Sequence, residues 1–113
     1  MLIGFTSTLC LAQDFLVTFN NQTGEEHKGC VAYGYRADGT ETRKDGVKPV
    51  PAGVSVTFNL GPCSGITHWR FVAAIKYSDR PENNDIVLMD TGKDTVTASC
   101  KAVITGRKAS RNR

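Results

Sequence analysis

Val54-Ser55-Val56-Thr57-Phe58-Asn59-Leu60 decides how this chain is read. Apolar and polar residues alternate without a break, which is the period of a strand with one face buried and the other in water. Pro51-Ala52-Gly53 turns the chain into this run, and Gly61-Pro62-Cys63-Ser64-Gly65 stops it. The same period recurs on both sides. Toward the N-terminus, Val31, Tyr33 and Tyr35 alternate with Ala32 and Gly34, a strand with one bulky face and one closely approached face. Before it, Phe15, Val17 and Phe19 alternate with Leu16, Thr18 and Asn20, and Asn20 to Gly24 has turn chemistry. Toward the C-terminus, Trp69, Phe71, Ala73, Ile75 and Tyr77 line one face of a strand from His68 to Tyr77. Ile86 to Met89 reads as a short buried strand, and Asp90 to Asp94 as a hairpin-like turn. Val96, Ala98, Cys100, Ala102 and Ile104 line the inner face of a last long strand. Asp38 to Gly53, with Lys44, Asp45-Gly46, Pro49 and Pro51, reads as a long polar loop. No helix of ten residues stands out, so the expected fold is all-β: an antiparallel β-sandwich or small barrel of about six to seven strands, stabilised by disulfide.

At 113 residues, with 40% hydrophobic, 8% aromatic and 22% charged residues, the composition is that of one globular domain. No run of eighteen apolar residues occurs, so no membrane-spanning helix is expected. The net charge of +3 is local: Arg107, Lys108, Arg111 and Arg113 contribute four of the fourteen basic residues with no acid among them. The rest of the chain is close to neutral, which argues against nucleic acid as a partner. The division expected is a signal peptide or N-terminal strand over 1–12, a single β-sandwich domain over 13–106, and a basic flexible tail over 107–113.

Met1 to Ala12 is uncharged and largely apolar or small, and Cys10-Leu11-Ala12 before Gln13-Asp14 has the small-x-small pattern of a secretory cleavage site. A secreted or extracellular location, periplasmic in a bacterium, also suits four cysteines in so short a chain. Asn21-Gln22-Thr23 is an N-glycosylation sequon, which acts only in a eukaryotic secretory pathway.

Four cysteines allow three pairings. If the strands around 31–36 and 54–60 are antiparallel neighbours, a register summing to about 93 sets Cys30 opposite Cys63, within disulfide reach. The expected bond is Cys30–Cys63, worth about 3 to 4 kcal/mol of chain entropy, with Cys10–Cys100 as the second pair where the N-terminus is retained. The same register gathers His27, Cys30, Cys63 and His68 at one end of a hairpin. That is the alternative, a two-Cys, two-His tetrahedral metal site, although the spacing matches no standard zinc motif. No metal is the first expectation.

No catalytic set emerges. There is no Gly-x-Ser-x-Gly turn, no glycine-rich phosphate loop opening a helix, and the acids (Glu25, Glu26, Asp79, Glu82, Asp85, Asp90, Asp94) fall in predicted turns. No cofactor is expected. Trp69 and Phe71 read as core, whereas Tyr33 and Tyr35 are candidates for a partner-binding platform together with Arg43, Lys44 and Lys48 of the long loop. The function expected is a non-enzymatic, exported β-sandwich that binds a protein or glycan partner through loops and exposed aromatics. The alternative is a self-associating structural subunit of an extracellular assembly or filament, with the N-terminal segment as a donated strand.

Overall fold

A computed structural model describes residues 13–108 and resolves the alternation into two facing sheets. The strands are β1 (Asp14–Gln22), β2 (His27–Tyr35), β3 (Glu41–Val50), β4 (Ser55–Pro62), β5 (His68–Ala74), β6 (Val87–Asp90), β7 (Asp94–Thr95) and β8 (Lys101–Arg107). One sheet has the order β4-β1-β8 and the other β3-β2-β5-β6, with β7 also paired to β5. The chain is therefore an all-β sandwich of eight described strands, slightly more than expected.

Period-two patterning becomes burial. Phe15, Val17 and Phe19 of β1 meet Phe58 and Leu60 of β4 on the inner face of the three-stranded sheet, and Cys30, Ala32, Trp69, Phe71 and Ala73 face them from β2 and β5. The rings carry much of the contact, with Phe19 and Phe71 centroids 4.8 Å apart and Phe58 and Phe71 5.5 Å apart. Burying each such side chain contributes about 1.5 to 3 kcal/mol. Gly34 provides the close approach expected of its face: a Cβ there would lie 2.9 Å from Ile66 Cγ2.

Three expectations are corrected. The stretch read as a long polar loop contains strand β3, which pairs with β2 and forms the edge of its sheet. Its charges and Pro49 mimic a loop because an edge strand tolerates both, having one side of its backbone unpaired. β4 consequently pairs with β1 in the other sheet and is no hydrogen-bonded neighbour of β2. The register that placed Cys30 opposite Cys63 does not exist. Cys30 lies opposite Ala73, buried and with no disulfide partner among the described residues, whose one disulfide is Cys63–Cys100 with Cα atoms 5.9 Å apart. Cys100 is thus unavailable to Cys10, which lies outside the described residues.

The last strand is also shorter than expected, because it starts at Lys101. Cys100 sits just before it in a turn with φ 59°, its N–H bonded to the Thr97 carbonyl at 3.0 Å. β8 then runs parallel to β1, in unbroken register from Leu16↔Lys101 to Gln22↔Arg107. The disulfide clamps this arrangement. The Cys63 N–H bonds to the Gln13 carbonyl at 2.8 Å and the Leu16 N–H to the Cys100 carbonyl at 3.1 Å, so the bridge spans the start of β1 and ties the strands on its two sides together.

Candidate binding cleft

The residues expected to bind a partner are mostly engaged within the fold. Val31, Tyr33, Tyr35 and Val72 form a second apolar cluster on the outer face of the four-strand path, with Tyr33 0% and Tyr35 5% exposed. Both tyrosines are covered rather than displayed. Tyr33 Oη donates to Glu82 Oε1 at 2.7 Å, Arg80 lies 5.1 Å from the Tyr33 ring, and Lys93 lies 4.5 Å from the Tyr35 ring. Arg80 also forms a bidentate pair with Glu41 at 2.7 and 3.0 Å. The segment between β5 and β6, with its short 3-10 turn Pro81–Asn83, is therefore a strap fastened across the sheet. Burial, then the Glu82 hydrogen bond, raises the Tyr33 hydroxyl well above the ordinary tyrosine value, and burial raises Tyr35 too. The sequence had no means of marking this, since it does not state which face a loop will cover.

Arg43, Lys44 and Lys48 lie on β3. Lys44 Nζ donates to the Asp79 carbonyl at 2.9 Å, fastening the strap. Lys48 pairs with Asp45 at 3.6 Å and lies 4.6 Å from the Phe58 ring. Arg43 is exposed and crosses Gly61, where a Cβ would be 3.1 Å from its Nε. Charge on an edge strand also deters pairing with another chain.

The four residues of the alternative metal site are dispersed. His27 and His68 stand at opposite ends of the β2–β5 ladder, because β2 begins at His27 and its last residue, Tyr35, pairs with His68. Cys63 is in the disulfide. Among the described residues no three His, Cys, Asp or Glu side chains group to hold a metal. Burial pushes the Cys30 thiol up to about 12, the wrong direction for a thiolate nucleophile, and its Sγ donates to the His27 carbonyl at 3.4 Å. The sequon asparagine is structural as well. Asn21 is 1% exposed; its Nδ2 donates to the Glu25 and Val50 carbonyls at 2.8 and 2.9 Å, and its Oδ1 accepts from Thr23.

A concave surface lies elsewhere, between β6 and the end of β8. A cleft of about 740 Å³ has Phe19, His27 and Ala73 at its floor, Leu88 and Met89 on one wall, and Gly106, Arg107 and Lys108 on the other. Thr23, Gly24 and Glu25 close its end. Gly106 permits the approach of β8 to the core, since a Cβ there would meet the Phe19 ring at 3.0 Å. Ile86 and Leu88 are 54% and 47% exposed at and near the start of β6, large apolar side chains left in water. His27 Nδ1 donates to the Glu25 carbonyl at 2.9 Å, and its buried Nε2 has no partner among the described residues.

Leu88, Met89, Arg107 and Lys108 were not singled out as a site by sequence. Ile86 to Met89 read as a buried strand, and the basic residues as the start of a tail. A signal existed in the apolar run beside Asp85 and Asp90, four residues too few to form a wide sheet edge. Comparison with protein-family models, with curated proteins and with solved structures finds no match to this chain.

Proposed function

We propose that this chain is a non-enzymatic, exported β-sandwich that binds a protein partner along its open side, in the cleft between β6 and β8. The observation that carries the reading is the conjunction there of exposed Leu88, a floor of Phe19, Ala73 and His27, and the cationic pair Arg107 and Lys108. Exposed apolar surface next to concave apolar walls gains free energy when a partner covers it. A glycan partner would stack on exposed rings, yet Tyr33, Tyr35 and Trp69 are buried and Tyr77, 62% exposed, does not line the cleft, which favours protein there. Export is supported by the disulfide. Among the described residues no helix is long and apolar enough to cross a membrane.

An array of immobilised ten-residue peptides tests the reading. Binding is expected to fall on Leu88→Asp and Arg107→Glu and to survive Arg43→Ala and Lys44→Ala. The opposite dependence would move the site to β3. Hydrolysis of ester, peptide or glycoside substrates that disappears with His68→Ala would overturn the non-enzymatic reading.

A second reading, a structural subunit that receives a donated N-terminal strand, is favoured by the edge of β8 that no described strand pairs with. The N-terminal residue and solution mass of the mature protein decide it. A monomer starting at Gln13 removes it, whereas an intact Met1 segment in a filamentous species makes it the better account.

A further inference from the structure

We infer that the open side takes an extended protein segment as an added strand on β8, and that the segment is one whose alternating apolar run is bracketed by acidic residues. This rests on the cleft reading above and specifies its occupant.

The hydrogen-bond ladder defines what β8 offers. The Leu16 N–H bonds to the Cys100 carbonyl at 3.1 Å, and Leu16 is the register partner of Lys101. In a parallel ladder successive residues direct their backbone groups to opposite sides. Ala102, Ile104 and Gly106 therefore bond toward β1, while Lys101, Val103, Thr105 and Arg107 aim N–H and C=O outward. Among the described strands none pairs with that side.

The other edges are defended. β3 carries Glu41, Arg43, Lys44, Asp45, Lys48 and Pro49, and its pairing has three register shifts. On β4, the Asn59 N–H is already taken by the Asp45 carboxylate at 2.7 Å. β6 has four residues and an irregular register against β5. By contrast, Ala102 to Gly106 includes no charge and no proline, and its register is continuous. Such an edge is a template for strand addition.

The surroundings set the chemistry of the guest. Its inward side chains would continue the layer of Ala102 and Ile104 toward Met89 and Leu88, which calls for apolar residues. Its outward ones would stand beside Thr105 and Val103, the latter 66% exposed, which suits β-branched residues. Lys101 at one end and Arg107 and Lys108 at the other bracket the uncharged run, and among the described residues Glu25 is the one acid lining the cleft. A second copy pairing antiparallel about Ile104 would set each Lys101 against the Arg107 of the other copy, like charges directly opposed. Acidic flanks suit the edge in either direction.

The test uses the full chain and a fluorescein-labelled peptide, Asp-Asp-Val-Thr-Val-Thr-Val-Asp-Asp, followed by polarisation at low salt. Saturable binding is expected, about tenfold weaker for the peptide with lysine flanks and about tenfold weaker for Val103→Pro, which removes an outward N–H but no bond to β1. Amide exchange of wild-type protein gives a readout that needs no variant: Val103, Thr105 and Arg107 amides should gain protection with the peptide. Binding that ignores Val103→Pro and these amides but is lost with Leu88→Asp overturns strand addition and leaves the cleft reading standing. Binding indifferent to both substitutions overturns both. Absence of binding, a β8-dependent dimer, or tighter binding of an uncharged peptide spanning residues 1–12 overturns the acid-flanked partner.

Discussion

Replacing Cys63 and Cys100 together by alanine should remove about 4 kcal/mol of stability. The two residues are 37 apart in sequence, and closing a loop of that length in the unfolded chain costs roughly 13 cal/mol/K of entropy, or about 4 kcal/mol at room temperature. Domains of this size have about 5 to 15 kcal/mol in total, so the change takes a large share. Its location should be uneven. Among the described strands β8 pairs with β1 alone, and the bridge anchors its N-terminal end to the chain leaving β4. Once the bridge is gone, amides of Ala102, Ile104 and Gly106 should exchange well before those of β2 and β5, which sit inside the other sheet. Urea titration with hydrogen exchange measures both effects. Cys30→Ala is the control: it removes one buried sulfur, costs about 1 kcal/mol, and leaves the cross-link intact. A double variant within about 1 kcal/mol of the parent would refute the argument, as would a Cys30–Cys63 peptide in a non-reduced digest.

Gly29→Ala should loosen the strap, because a Cβ there falls onto the Lys76 carbonyl oxygen well inside van der Waals contact and also meets Pro81 at 3.5 Å. A loss of about 1 to 3 kcal/mol is expected, with limited proteolysis cutting first between residues 75 and 86. Asn21→Ala leaves the Glu25 and Val50 carbonyls without their donor and should cost about 2 to 3 kcal/mol in urea unfolding. A glycan on Nδ2 would displace both bonds, so the correctly folded fraction of chain expressed through a eukaryotic secretory pathway should have the unglycosylated mass. Folded Tyr33 and Tyr35 hold their protons more tightly than the unfolded chain does, so their stabilisation is complete below about pH 10 and is lost as the pH rises through the raised folded values. Urea midpoints should begin to fall only above about pH 10, and by less in Tyr33→Phe; equal falls would remove Tyr33 from this account.

The central strands were legible because their side chains answer to one local rule. β1, β4 and β5 are buried on one face or both, and the period of two records it in Phe15-x-Val17-x-Phe19 and in Phe58-x-Leu60. β3 obeys a different requirement. As an edge strand it must discourage other strands, and the residues that do so, Arg43, Lys44, Asp45, Lys48 and Pro49, are those that also compose loops. The mistaken cysteine pairing descends from that one stretch, since removing β3 makes β2 and β4 neighbours and brings Cys30 to Cys63 on paper. The tyrosines were misread for a related reason. Val31, Tyr33, Tyr35 and Val72 form an outer apolar face, and an outer face is open or covered according to where Arg80, Pro81 and Glu82 come to rest, a matter of tertiary contact at a separation of some fifty residues. The parallel course of β8 has no local signature either, because a strand's own sequence is indifferent to its neighbour's direction when one face is buried. What distinguishes β8 is the contrast with β3. An edge that carries six charged or proline residues is protected from pairing, whereas one that carries five uncharged residues between Lys101 and Arg107 is not, and that difference singles out β8 as the edge suited to a partner strand.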